Sequence, residues 1–197
     1  MTRKLLVGSN NLKKRKEIGK ILHNCDFEIV TPQELAILEE PEESGATFME
    51  NAEIKALYYA GESGLLTLAD DSGLSVDALG GAPGVRSSRY AAENATDDEN
   101  CSKLLEALAA VADPDRTARF QCAVVVAEPG VVLARAQGRC EGLILRQRAG
   151  ESGFGYDPLF LYPPEGITFA QLGPEIKNRV SHRGQALEKI HGFLEKL

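Results

Sequence analysis

The sequence predicts an α/β protein built on a mixed β-sheet flanked by helices. Apolar runs rich in Val, Ile and Leu alternate with segments of helical periodicity, and two Thr-x-x-Glu boxes, Thr47 to Glu50 and Thr96 to Glu99, mark helix starts. Val-dense stretches on either side of Pro129-Gly130 read as consecutive strands around a turn. In chain order, Lys4 to Gly8 is a first strand, and Leu12 to His23 a helix with Ile18, Ile21 and Leu22 on one face. Glu28 to Val30 resembles a second strand. The Thr47 box opens a helix to about Glu62, with Gly64 as its stop. Leu65 to Leu68 reads as a buried strand, and the helix after Thr96 carries Leu104, Leu105, Leu108 and Val111. Phe120 to Ala127, Val131 to Ala136 and Gly142 to Leu145 suit an antiparallel meander, and a last helix carries Leu187, Ile190 and Leu194. No repeat or composition break divides residues 1–197, which read as a single domain.

Charge and cysteine usage narrow the function. Acidic residues outnumber Lys plus Arg by 29 to 22, a formal charge of −7, so the field of the whole molecule disfavours nucleic acid and anionic membrane as partners. A polyanionic ligand then needs a local basic pocket or a cation. No apolar run reaches membrane-spanning length, and the opening Met1-Thr2-Arg3-Lys4 leads only briefly into apolar sequence, which predicts a soluble, unexported chain. Cys25, Cys101, Cys122 and Cys140 are scattered without a C-x-x-C pair, and suit a reducing cytoplasm.

The most informative stretch is Ala69-Asp70-Asp71-Ser72-Gly73, two carboxylates ending an apolar run. Neighbours on an extended chain face opposite ways, so both acids serve one site only if the chain bends, as Ser72-Gly73 would permit. One acid could then ligate a hard cation while the other orients water; the same tetrapeptide also suits a solvated turn. Ser9-Asn10-Asn11-Leu12-Lys13-Lys14-Arg15-Lys16 crosses the first strand-to-helix junction, where free N–H groups and the helix dipole favour an anion. Cations in that first turn oppose the dipole unless a negative ligand such as phosphate compensates them, or they form a solvated basic face. The stretch is not a Walker loop. Glu39 to Glu43 is a run of acids around Pro41 that either sits in water or supplies Glu42 or Glu43 as a metal ligand beside Asp70-Asp71, the one or two carboxylates that Mg2+ takes along with phosphates. Gly153-Phe154-Gly155-Tyr156-Asp157 offers a ring to stack on a nucleobase and an acid to accept from a base N–H, or an aromatic plug for the core. Lys177 and Ser181-His182-Arg183 gather donors around the start of the last helix, or cap it; His23 and His191 read as helix-surface residues.

Taken in order, these segments resemble the inosine/xanthosine triphosphate pyrophosphatase family across nearly the whole chain. The carriers are Ser9-Asn10-Asn11 with Lys14 and Glu17, Glu42-Glu43-Ser44-Gly45, Thr47-Phe48, Glu50-Asn51-Ala52, Ala69 to Gly73, Gly80-Gly81-Ala82-Pro83-Gly84, Phe154 to Pro158 and Ser181-His182-Arg183. The resemblance implies a two-lobed α/β fold with a central nucleotide cleft, a homodimer, and hydrolysis of non-standard purine nucleoside triphosphates (ITP, dITP, XTP) to monophosphate and pyrophosphate. It implies that Ser9, Asn10, Asn11, Leu12, Lys13 and Lys14 meet the triphosphate, and that Glu42 and Asp71 hold Mg2+, with Asp71 as base toward water and Asp70 supporting. Ser72 would lie beside the nucleotide, Phe154, Gly155, Tyr156 and Asp157 would hold the purine, and Lys177, His182 and Arg183 would line the base and phosphate end. Asn10 stands where the family commonly has glycine, which bears on how tightly the turn holds phosphate. Two rival classes make different predictions: a Ser72/His182 acyl hydrolase would survive chelation, and a binding module built on Lys13 to Lys16 would release no pyrophosphate.

Overall fold

A computed structural model describes residues 3–23 and 25–197; Met1 and Thr2, at the start of the segment read above for targeting, lie outside the described residues. In chain order the elements are β1 (Arg3–Val7), α1 (Leu12–Ile21), β2 (Phe27–Val30), α2 (Phe48–Ser63), β3 (Leu66–Val76), α3 (Asp97–Ala107), β4 (Thr117–Glu128), β5 (Val131–Ile144), β6 (Phe160–Tyr162), β7 (Ile167–Thr168), α4 (Pro174–Val180) and α5 (His182–Leu194), joined in places by short 3-10 turns. Among the described residues seven strands form one sheet in the order β2-β1-β3-β4-β5-β6-β7. β1 runs parallel to β2 and β3, and β6 runs antiparallel to β5 and β7, so the sheet is mixed as expected. No helix among the described residues is long and apolar enough to cross a membrane.

Two expectations are corrected. The chain does not bend at Ser72-Gly73: β3 runs unbroken through Asp70, Asp71, Ser72 and Gly73 to Val76. The two carboxylates therefore alternate to opposite sides of one strand and meet different partners. The segments Val131 to Ala136 and Gly142 to Leu145 are one strand, β5, whose buried positions alternate through Ala136, Gly138, Cys140 and Gly142. Gly142 is required there, because a Cβ would collide with the Leu161 carbonyl and the Phe160 ring.

Contacts divide the chain into two compact units. The first comprises Met1–Asp71, Cys122–Gly138 and Arg183–Leu197, the second Ser72–Gln121 and Arg139–His182. In the first, one core joins Leu5 and Val7, Ile18 and Leu22 after α1, Leu68, Val124 and the predicted α5 face of Leu187, Ile190 and Leu194. A second core packs Ala52, Ala56 and Ala60 of α2 on Ala69, Ala123, Val125 and Ala127. Small side chains let the helix axis approach the strands closely. α2 starts at a complete capping box of Thr47 and Glu50 and ends at Gly64 in the left-handed region (φ 70°), as its sequence predicts. In the second unit, Leu74, Leu104, Phe120, Tyr156, Phe160 and Phe169 belong to one core. All four cysteines are free thiols.

Candidate active site

In the first unit the loop after β1 leads into α1. Asn11 caps the helix: its Oδ1 accepts the backbone N–H groups of Lys13 at 3.0 Å and Lys14 at 3.1 Å. The first-turn amides expected to stand open for an anion are thus partly taken by the chain itself, and a phosphate there relies chiefly on side chains. Ser9 Oγ accepts from the Asn11 N–H at 3.3 Å, and Asn10 Nδ2 donates to Glu40 Oε1 at 2.6 Å. Leu12 and Lys13 are exposed. Lys14 turns inward, with Nζ 3.3 Å from Asp70 Oδ2.

Asp70 is buried in a nest of positive charge. Its Oδ2 also accepts Arg183 Nε at 3.2 Å and Nη2 at 3.1 Å, while Arg183 Nη1 donates to Glu17 of α1. Burial alone would raise the Asp70 carboxyl, but Lys14, Arg183 and Lys55 outweigh it and hold the group well below the usual carboxylate range. Arg183, expected at the base end of a nucleotide, is fully buried with its guanidinium on Asp70 and Glu17. Its guanidinium thereby joins the same carboxylate, Asp70, that Lys14 meets. Asp70 Oδ1 is buried with no hydrogen-bond partner among the described residues.

On the other side of β3, Asp71 meets α2. Asn51 Nδ2 donates to Asp71 Oδ2 at 3.3 Å, and Lys55 Nζ to Asp71 Oδ1 at 3.2 Å. Lys55 also donates to Glu43 Oε1 at 2.8 Å, so an ammonium bridges the acidic loop and the strand acid. Burial raises the Asp71 carboxyl above its ordinary value, with the Glu43 charge adding to the rise; Lys55 and Lys14 oppose it but do not cancel it. Burial would lower the Lys55 ammonium, yet Asp71, Glu43 and Asp70 push it up. The expected Glu42 is exposed, and Glu43 is the loop acid that shares a cation with Asp71. Lys55 was missed by sequence reasoning. The signal that could have found it is a lysine placed four residues after Asn51, one helical turn on and so on the same side of the helix.

The second unit organises the glycine-rich loop. Asp157 is buried, and its Oδ2 accepts from the Phe154 N–H at 2.9 Å and from Lys177 Nζ at 2.6 Å. The acid expected to receive a base N–H thus holds its own loop and the α4 lysine. Gly153 (φ 80°) permits this, since a Cβ there would overlap Asp157 Oδ2. Lys177 Nζ lies 4.8 Å from the centroid of the half-buried Phe154 ring. Gly155 takes the left-handed region at φ 58°, and the Tyr156 hydroxyl donates to the Ser87 carbonyl at 2.9 Å. His182 stacks on Phe120, with centroids 4.8 Å apart and planes 12° from parallel. Ser72 is half-buried on β3, directly after Asp71.

Among the candidate residues, the first unit pairs Asp70 and Asp71 with lysines and an arginine, and the second sets the Phe154 ring beside the Lys177–Asp157 ion pair. Relatives share this sequence over its full extent. A dITP/XTP pyrophosphatase of Desulforamulus reducens is 50% identical over 194 residues, covering 98% of this chain and 96% of its own. A dITP/XTP pyrophosphatase of Methylococcus capsulatus is 50% identical over 201 residues, covering 100% and 98%. The solved structure of a HAM1 protein from Coxiella burnetii superposes with a TM-score of 0.90 at 43% identity, covering 99% of this chain and 100% of that one. Residues 5–193 match the family model described as the Ham1 family, and the chain belongs to that family.

Proposed function

We propose that the chain hydrolyses non-standard purine nucleoside triphosphates (dITP, ITP, XTP) to the monophosphate and pyrophosphate. The observation that carries this reading is Asp71, a buried carboxyl raised above its ordinary value and clamped between Lys55 and Asn51 next to an acidic loop. Its match in substrate is the activity named for relatives that are half identical over the whole length. A carboxylate with an upward-shifted pKa is a better base at neutral pH than an ordinary one. Asp71 takes a proton from the water that attacks the α-phosphorus, and pyrophosphate leaves. Lys14 and Lys55 supply positive charge to the phosphoryl oxygens. Residues 9 to 13 line the phosphates through Ser9, Asn10 and Asn11.

The acids suit Mg2+ in kind: Asp71 and Glu43 already bracket a cation, the Lys55 ammonium, and Glu42, next to Glu43 in the chain, is exposed. All are hard oxygen donors, and Mg2+ bridging phosphates takes one or two such carboxylates. Asp71 with Glu42 would hold the ion, which when bound neutralises charge building on the phosphate oxygens. Phe154 stacks on the purine, and Lys177 presents a donor suited to the 6-oxo group of hypoxanthine or xanthine; adenine's amino group there would face it with another donor. Gly155, Tyr156 and Asp157 keep the ring in place, and His182 backs the same unit against Phe120. We further read residues 1–197 as one catalytic domain that acts as a cytoplasmic homodimer, without nucleic-acid or membrane partners.

The deciding measurement is pyrophosphate release from ITP, dITP, XTP, ATP and GTP with Mg2+, with and without chelator, in the wild-type and Asp71→Asn proteins. The expected result is metal-dependent pyrophosphate from the first three, and loss by Asp71→Asn of at least the roughly 10^2 to 10^4 that a general base contributes. Equal turnover of ATP and GTP, or release of orthophosphate alone, sinks the reading.

A further inference from the structure

The face of α2 turned to the sheet contains one fully buried amide, Asn51. Burying such a group is costly unless its polar atoms are paired, so its links account for its presence. Asn51 Oδ1 accepts from the Gly45 N–H at 2.8 Å, and Asn51 Nδ2 donates to Asp71 Oδ2 at 3.3 Å. One turn on, Lys55 makes the matching bridge from Glu43 to Asp71 Oδ1. The acidic loop is therefore tied to Asp71 at two points, and each oxygen of Asp71 receives one donor from the same helix. The two ties differ in kind. Lysine reaches through a flexible four-carbon stem, whereas the short Asn51 side chain fixes the loop backbone itself. Gly45 is fitted to that tie, because a Cβ would come 2.6 Å from Asn51 Oδ1 and 3.0 Å from the Asn51 nitrogen.

We propose that Asn51 is a positioning residue for the hydrolytic site: it sets the backbone of the acidic loop in register with Asp71, so that loop and strand carboxylates are presented together to a divalent cation. This rests on the reading of Asp71 as base and metal ligand given under the proposed function. Residues that orient metal ligands typically change metal affinity or activity by about 10- to 100-fold when removed.

The test compares the full chain with its Asn51→Ala and Gly45→Ala variants in three measurements. These are the Mg2+ concentration for half-maximal ITP hydrolysis, the KM for ITP at saturating Mg2+, and backbone hydrogen exchange of the peptide containing Gly45 in nucleotide-free protein. In both variants the half-activating Mg2+ concentration should rise about 10- to 100-fold while KM for ITP moves by less than about twofold, and the Gly45 peptide should exchange faster. A merely structural role would lower the melting temperature and leave the Mg2+ requirement unmoved, which overturns the proposal. If Asn51→Ala fails to fold, Gly45→Ala, changed in a loop, carries the same test. Activity in Asp71→Asn refutes the underlying reading, whereas an inactive Asp71→Asn beside an unchanged Mg2+ requirement in both variants refutes the role of Asn51 alone.

Discussion

Replacing Lys55 by methionine keeps the apolar stem and removes an ammonium that stands 3.2 Å from Asp71 and 2.8 Å from Glu43. Burial is the largest influence on the Asp71 carboxyl and raises it; the Lys55 charge is the strongest influence pulling the other way. At the 3.2 Å of this pair, unit charges attract by about 5 kcal/mol if the effective dielectric is near 20, a ceiling that side-chain relaxation reduces. An opposite charge this close favours the ionised carboxyl, so Lys55→Met is expected to raise Asp71 further above its ordinary value. The sign for stability follows from the same shift. A carboxyl whose folded pKa lies above its unfolded value favours the fold below the unfolded value, and that contribution is lost as pH rises through the folded pKa. Relative to the wild type, Lys55→Met should therefore be less stable near neutrality, and the deficit should close as pH falls through the variant's raised Asp71 value to that of the wild type, which itself lies above the ordinary carboxyl value. The assay is a carboxyl-carbon NMR titration of nucleotide-free protein, paired with urea melts at several pH values. Asp71 titrating at the same pH in both proteins would refute the clamp.

Two further substitutions probe the remaining contacts. Phe154→Ala should lower kcat/KM for all purine triphosphates alike, by the about 1 to 3 kcal/mol or roughly 5- to 150-fold that base stacking is worth, and a loss confined to one base would count against stacking. Arg183→Met removes the guanidinium from the buried Asp70 carboxylate, leaving it paired with Lys14, and from the half-buried Glu17, so it should cost up to about 3 to 5 kcal/mol and lower the melting temperature by up to roughly 6 to 20 °C. A changed preference for ITP over ATP at unaltered stability would instead return Arg183 to base reading.

Local signals in the sequence located the starts of α1, α2 and α3 but not α4, and α3 ends at Ala107, short of the Leu108 and Val111 expected on it. Both Thr-x-x-Glu boxes are complete caps, and Leu187, Ile190 and Leu194 are buried as their spacing predicts. The errors share a physical cause. Ser72-Gly73 and Gln137-Gly138 have the composition of turns, yet both lie inside strands, where ladder pairing and neighbouring layers override a propensity worth at most about 1 kcal/mol. In β5 the buried alternation is carried by Ala, Gly, Cys and Gly, which show no hydrophobic period. The site residues were recognisable as residue types, whereas their pairings were not. Lys14 with Asp70, Arg183 with Glu17 and Lys177 with Asp157 join distant segments, and no local pattern says that such a donor also holds an internal acid.

The cap at the start of α2 has a consequence for how this chain tolerates change in length. Thr47 Oγ1 accepts the Glu50 N–H at 3.2 Å and Glu50 Oε2 accepts the Thr47 N–H at 3.1 Å, which fixes the residue at which the helix begins. Each residue of an α-helix turns the chain by about 100°, so the phase at which Asn51 and Lys55 face Asp71 is counted from that start. One residue inserted between Thr47 and Asn51 would rotate both side chains off the strand or force the cap to re-form one position along. An insertion several residues long around Leu38, an exposed loop position, leaves that count untouched.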